Sequence, residues 1–264
     1  MLSALAERRD LNRESPLADR LAPDATPGGY RVRAIWQTLQ GEGAFAGYPA
    51  VFVRFAGCNL WSGDEAHRRR DHARLGAACA LFCDTDFRKA GSVRIGPDAL
   101  AAHVRQVADA GRLDDSPGPR LAVLTGGEPL LQADALLVTT LRAEGFAVAV
   151  ETNGTVALAD AFGPDPAHWP DWVACSPKLP ESHLNIEAMD ELKLVVPAYT
   201  PDAYPTLAAR VRPQRLGGRE VFYRWLQPED GPRLAEARRV AVALAEAHPS
   251  WRVSVQTHKV LGVD

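Results

Sequence analysis

Three cysteines carry the first chemistry visible in this chain. Cys58 follows the apolar run Ala-Val-Phe-Val-Arg-Phe; twenty residues separate it from Cys79, and three separate Cys79 from Cys83. Thiolates are soft ligands. Three of them can bind three irons of a cubane cluster and leave the fourth iron open, or bind one zinc ion completed by His67 or His72. The spacing alone leaves both choices open. Cys175 differs: it lies inside an apolar run and reads as a buried strand residue. A second motif, Thr125-Gly126-Gly127-Glu128-Pro129, closes the apolar run Leu-Ala-Val-Leu. Two glycines at a strand end let a ligand approach the backbone closely, and a glutamate there can accept a hydrogen bond from a cationic amine. An isolated Gly-Gly pair could equally form a tight turn.

The elements that must position these groups alternate. Short β-branched and aromatic runs predict strands over 31–36, 50–55, 121–124, 147–151, Trp172–Cys175, Glu191–Val196, 221–226 and 252–256. Helical patterns fall over Pro97–Ala110, 134–144, 201–210 and 232–248. Strands alternating with helices imply parallel α/β units, and the nearly continuous apolar strands imply a sheet covered on both faces. Residues 1–29, with three prolines and a Gly-Gly pair, read as a disordered leader with at most a short helix over 2–11. Residues 61–78 are polar, basic and helix-permissive and interrupt the alternation as an insertion in the loop between two of the cysteines. The remaining chain, 30–264, reads as one domain. Trp36, Trp225 and Trp251 read as core residues.

Composition narrows the classes. The chain has 264 residues, 46% of them hydrophobic, and a net charge of −3. There is no basic excess of the kind nucleic-acid binding needs. No apolar run is long enough to cross a membrane, and the first twenty residues mix charges throughout. The expectation is a cytoplasmic protein whose cysteines are reduced.

Taken in order, the cysteine triplet, Thr125-Gly126-Gly127-Glu128-Pro129, Glu151-Thr152-Asn153-Gly154 and Ser176-Pro177-Lys178 resemble the radical S-adenosylmethionine (SAM) superfamily. More narrowly the chain resembles the 7-carboxy-7-deazaguanine synthases. That likeness rests on Gln37-Thr38-Leu39-Gln40-Gly41-Glu42-Gly43, Arg54-Phe55-Ala56-Gly57-Cys58-Asn59-Leu60-Trp61-Ser62-Gly63, Phe82-Cys83-Asp84-Thr85-Asp86-Phe87, Glu191-Leu192-Lys193, Leu226-Gln227-Pro228 and Gln256-Thr257-His258-Lys259. The cysteine gaps depart from the C-x3-C-x2-C spacing common in the superfamily. A longer first gap costs little, because loop-closure entropy grows only with the logarithm of length. The extra residue in the second gap shifts one ligand against its neighbours.

The resemblance implies an incomplete β/α barrel with its site at the C-terminal strand ends. It implies a 4Fe–4S cluster on Cys58, Cys79 and Cys83, SAM on the open iron, and Mg2+ assisted by the Thr85 hydroxyl. The implied reaction contracts the ring of 6-carboxy-5,6,7,8-tetrahydropterin to 7-carboxy-7-deazaguanine with loss of ammonia, in queuosine or other 7-deazapurine synthesis. The implied SAM contacts are Phe82, Cys83, Asp84, Gly126, Gly127, Glu128, Glu151, Asn153, Ser176, Pro177, Lys178, Gln227, Pro228, Glu229 and Asp230. The implied substrate contacts are Leu39, Gln40, Gly41, Glu42, Arg54, Thr125 and His258, with Arg54 pairing the pterin carboxylate. Asp264 would reach the same pocket, its tail docked by Val260, Leu261 and Val263 and too short to form a helix worth packing. An electron donor such as a flavodoxin or ferredoxin and a homodimeric state are also implied, with neither nucleic acid nor membrane as partner. Two rivals stand beside this reading. One is an activase of the glycyl-radical type, which would share the cluster and the glycine motif but act on a protein. The other is a zinc-stabilised domain without catalytic activity.

Overall fold

A computed structural model describes residues 17, 28–110, 118 and 120–263. The leader expected over 1–29, the short helix over 2–11 and Asp264 fall wholly or mostly outside the described residues.

The strands are β1 (Tyr30–Leu39), β2 (Pro49–Phe55), β3 (Val93–Ile95), β4 (Leu121–Gly126), β5 (Ala147–Thr152), β6 (Trp172–Cys175), β7 (Glu191–Val196), β8 (Gln214–Leu216), β9 (Arg219–Val221), β10 (Tyr223–Pro228) and β11 (Arg252–Val253). Nine of them form one sheet in the order β11-β10-β7-β6-β5-β4-β2-β1-β3. From β2 to β11 neighbouring strands run parallel; β1 is antiparallel to β2 and to β3. The two ends of this order are not hydrogen-bonded to each other, so the barrel is incomplete, as the resemblance implied. β8 and β9 form a separate hairpin.

The longer helices pack on one face of the sheet. α1 (Arg68–Leu75) lies in the insertion, followed along the chain by α2 (Pro97–Ala110), α3 (Ala135–Ala143), α4 (Leu158–Phe162), α5 (Pro205–Ala209), α6 (Leu234–Ala247) and α7 (Thr257–Leu261). α2 starts on a proline, whose missing N–H costs nothing in the first turn, and buries Leu100, Ala101, Val104, Val107 and Ala108 along one stripe. The Asp134 carboxylate caps α3 by accepting from the Leu137 amide at 3.0 Å. These stripes meet the outward side chains of the sheet in one large core, which also takes in Leu17. On the inner face Ala34, Trp36, Ala50, Phe52, Leu121, Val123 and Ala149 form a second, smaller apolar cluster. Toward the C-terminal strand ends that face also carries Arg54, Thr125, Glu151 and Lys193.

The sequence reading and the structure differ in several places. The strand expected over 221–226 is divided, because Val221 ends the hairpin and Tyr223 starts β10 beside β7. The strand expected over 252–256 pairs only at Arg252 and Val253. The helix over 201–210 is a 3-10 turn, Pro201–Ala203, followed by α5; a second proline at 205 lacks the N–H needed to continue the first turn. The insertion, expected to be helix-permissive, does hold a helix. Asp64 caps a 3-10 turn through the Ala66 amide, α1 follows, and Gly76 ends it in the left-handed conformation at φ 70°. β3 and α7 were not foreseen.

Candidate active site

Parallel strands bring their C-terminal ends to one side of the sheet, and register aligns them. Arg54 of β2 stands beside Thr125 of β4, and Lys193 of β7 beside Trp225 of β10. Two adjoining cavities open there, of about 240 and 360 Å3. Glu42, Asp84, Thr85, Thr125, Glu151 and Gln256 line both and form the wall between them.

The smaller cavity holds the sulfur chemistry. Cys58, Cys79 and Cys83 all line it, with Phe82, Gly126, Gly127, Asn153, Ser176, Lys178 and the segment Gln227, Pro228, Glu229 and Asp230. Cys79 and Cys83 are joined by an amide-to-carbonyl bond of 2.8 Å from Cys83 to Cys79. That is one helical turn, so the extra residue in the second gap leaves the two thiols on the same side. Burial pushes the Cys58 thiol up to about 12 and the Cys79 thiol up to about 11. Thiols so placed ionise when a bound metal compensates the charge. Among the described residues no three His, Cys, Asp or Glu groups converge tightly enough to hold a single metal ion. Ligands of a cluster each take a different iron and stand farther apart than that. His67 pairs with Asp64 at 3.0 Å, and His72 contacts the Ala77 carbonyl at 3.1 Å. Neither lines the cavity, so the zinc completion considered above has no histidine to supply it. Cys175 is fully buried in β6, as its apolar run implied.

Two of the residues expected at SAM do not reach the wall. Glu128 is fully buried and lines neither cavity. Its carboxylate accepts from the Leu130 amide at 3.0 Å, the Thr152 hydroxyl at 2.8 Å and the Asn153 amide at 2.7 Å. It therefore ties the end of β4 to the end of β5. Burial pushes its pKa up to about 7 against these three bonds, which pull it down. Pro177 is likewise buried behind the cavity. Its neighbour Lys178 does line the wall, donating to the Ser176 hydroxyl, and burial lowers its pKa.

The larger cavity is walled by Leu39, Gln40, Gly41, Arg54 and His258 in addition to the shared residues. The Arg54 guanidinium lies 4.8 Å from the centre of the Trp36 ring, a cation–π contact. Trp36 is buried, as expected of a core residue, yet it also lines this cavity. Gln40 donates to Glu151 at 3.0 Å, and Thr125 donates to the same carboxylate at 3.2 Å. Gly41 has no room for a side chain, because a Cβ there would enter the His258 ring. The Thr257 amide donates to the Gly41 carbonyl at 2.8 Å, which seats α7 on the loop between β1 and β2. His258 is half-buried, and that burial lowers its pKa. Lys259 donates to Asp84 and to Asp230, each at 2.7 Å, and so joins α7 to the cysteine segment and to the end of β10.

Lys193 was missed by the site reading. It is buried on β7, pairs with Glu42, and shares its strand face with Glu191. Glu42 also accepts from Gln227 at 2.8 Å and from Gln256 at 2.7 Å. Burial opposes the ionised form of Glu42, but the Lys193 charge and the hydrogen bonds outweigh it and leave the pKa at about 2. Lys193 is raised despite its own burial, chiefly by the Glu42 and Glu151 carboxylates. Glu191 accepts from the Ala44 amide and the Trp225 indole, both at 2.8 Å. A lysine inside the otherwise apolar run Leu-Lys-Leu-Val-Val was the available signal.

No family model matches the chain. Curated relatives do, along most of its length. The 7-carboxy-7-deazaguanine synthase of Bradyrhizobium diazoefficiens is 44% identical over 234 residues, covering 89% of this chain and 99% of the relative. The synthase of Bordetella pertussis is 43% identical over 242 residues, with the same shares covered. Among solved structures, the crystal structure of QueE from Escherichia coli matches with a TM-score of 0.57 and 25% identity, over 87% of this chain and 95% of that one. With such identity sustained over nine-tenths of its length, and with the same open sheet, the chain belongs to the family of 7-carboxy-7-deazaguanine synthases.

Proposed function

We propose that this chain is a radical SAM lyase that converts 6-carboxy-5,6,7,8-tetrahydropterin to 7-carboxy-7-deazaguanine with loss of ammonia. The observation that carries this reading is the pair of cavities sharing one wall: three thiols line one, and an arginine above a tryptophan lines the other. In this reading Cys58, Cys79 and Cys83 hold a 4Fe–4S cluster. The donor set fits: three soft thiols face one space, and Gly127 has no room for a Cβ, which would fall 2.6 Å from that of Cys58. When bound, the cluster and SAM together supply a reductively generated radical able to remove a hydrogen from the substrate.

The protein's own residues bind and orient. Ser176, Lys178, Asn153 and the segment Gln227 to Asp230 would surround the nucleoside side of SAM. Arg54 would pair with the pterin carboxylate through two parallel bonds. Gln40 and Thr125 are already tied to Glu151, so all three present fixed polar edges to a planar substrate. Glu42, held by Lys193, Gln227 and Gln256, keeps the loop before it in place. Thr85 lines both cavities and offers an oxygen to Mg2+, which favours oxygen ligands and keeps several waters. A flavodoxin- or ferredoxin-like donor would reduce the cluster, and a homodimer is the family's usual state. Among the described residues no helix is long and apolar enough to cross a membrane.

The test is anaerobic reconstitution with iron and sulfide, then product analysis with 6-carboxytetrahydropterin, SAM and a reductant. 7-Carboxy-7-deazaguanine is expected. SAM cleavage without that product would point instead to an activase acting on a protein, and a colourless protein with no SAM cleavage would remove the radical reading altogether.

A further inference from the structure

The long first cysteine gap contains α1, and one side chain of α1 reaches the ligand-bearing turn. The Arg68 guanidinium donates to the Ala80 carbonyl at 3.0 Å and to the Cys83 carbonyl at 2.9 Å. Its remaining donors take the Glu65 carboxylate, at 2.6 Å from both Nε and Nη2. The guanidinium also lies 4.2 Å from the centre of the Trp61 ring. Trp61 is itself buried with Ala80 and Phe87, and Cys58 and Cys83 pack against that group. On the other side the Cys79 amide donates to the Tyr199 hydroxyl at 3.2 Å.

We propose that Arg68 is a positioning residue for the cysteine turn, holding the backbone of 79–83 so that both thiols face the cavity. The proposal rests on the reading of the three cysteines as cluster ligands. Its physical basis is the carbonyl supply of a single helical turn. The last carbonyls of such a turn have no partner within it. Those of Ala80 and Cys83 are taken by one planar fork whose two arms are rigidly spaced. Glu65 and Trp61 fix that fork in turn, so the turn is gripped from the insertion at one end and from Tyr199 at the other. A three-residue first gap, as in C-x3-C-x2-C, would hold no helix to supply this grip, and the helix of the long gap supplies it here. The neighbours Arg69 and Arg70 do not share the role: Arg69 is exposed, and Arg70 pairs with Asp71.

Arg68→Met tests this, because it keeps the stem against Trp61 and removes every donor. Arg68→Lys keeps the charge but not the fork, and Arg69→Met is the control on the same helix. Two quantities are measured: amide exchange at Phe82 and Cys83 in the iron-free proteins, and the rate at which the reconstituted proteins lose iron to a chelator. Arg68→Met is expected to exchange faster and to lose iron on the order of tenfold faster, the usual scale for removing a group that orients metal ligands. Arg68→Lys should fall between, Arg69→Met should match the unaltered protein, and the unfolding midpoints of all the iron-free forms should agree. Unchanged exchange and iron loss in Arg68→Met would overturn the inference, as would equal losses in Arg69→Met. An unaltered protein that takes up no iron would instead overturn the ligand reading beneath it.

Discussion

A carboxylate and an ammonium buried together depend on each other, because removing one leaves the other as an uncompensated charge. Glu42 and Lys193 are such a pair at the floor of the wall between the cavities. Glu42→Gln is expected to cost about 3 kcal/mol of folding stability, and Lys193→Met a similar amount. The double substitution should cost clearly less than the sum, which denaturant titration of all four proteins will show. The pH dependence has a definite sign. Glu42 titrates in the folded chain at about 2, below its ordinary 4.5, so its contribution is full above the ordinary value and is lost as pH falls toward 2. Glu42→Gln should flatten that part of the stability profile between neutral and acid pH. The cysteines give a second prediction at this scale. Ala in place of Cys58, Cys79 or Cys83 is expected to abolish cluster assembly, whereas Cys175→Ala should keep it, since Cys175 lies in β6 and lines neither cavity. Iron content and the visible spectrum after reconstitution decide the matter; a Cys79→Ala protein with full iron would remove that residue from the set. What was legible in the residues follows from their partners. Cysteine spacing and the glycine pair announce themselves locally. The use of Glu128 does not, because its partners at 152 and 153 lie on another strand and no local pattern specifies them.

Element boundaries were legible where burial writes a pattern. β2, β4, β5, β6 and β7 are buried along most of their length, so each reads as a nearly continuous apolar run, interrupted by Arg54 in β2 and by Lys193 in β7. β3 has three residues, too few to show alternation. α1 was read as part of an insertion loop because it buries only Asp71, and a helix without an apolar stripe leaves no period to detect. α7 has five residues and none of them is buried; its place is set by Gly41 and Lys259 contacts rather than by a hydrophobic face. The junction of β4 with the cysteine segment yields a prediction. A Cβ on Gly127 would collide with the Gly57 carbonyl and approach the Cys58 Cβ to 2.6 Å. Backbone cannot give way there as a flexible side chain could. Gly127→Ala is expected to displace Cys58, with loss of most cluster content while the sheet survives, read by iron analysis beside far-ultraviolet circular dichroism. Full iron content in that variant would show that the junction can shift.

At the scale of the molecule, the parallel α/β arrangement was legible from the alternation of elements and the open barrel from the family resemblance, but the division of its mouth into two cavities was not. That division depends on residues brought together from the loop after β1, the segment after Cys83, β4, β5 and the segment before α7, and their pairing exists only once the sheet has ordered them. Removing everything after Val253 tests how separable the two are. Such a chain retains every strand of the sheet and every helix except α7, so near-native circular dichroism is expected together with loss of pterin binding in calorimetry. Undiminished pterin affinity would show that α7 is dispensable. The contacts around the two cavities span long stretches of chain: Gly41 to Thr257 is 216 residues apart, Glu42 to Gln256 is 214, and Glu42 to Gln227 is 185. Closing such separations carries a chain-entropy cost that grows with the logarithm of their length. On the ribosome the loop that carries Gly41 and Glu42 emerges early and waits for partners made more than two hundred residues later. Through nearly all of its synthesis, then, the chain carries a Glu42 that has yet to meet Gln256, and the larger cavity is completed only after the rest of the sheet has been made.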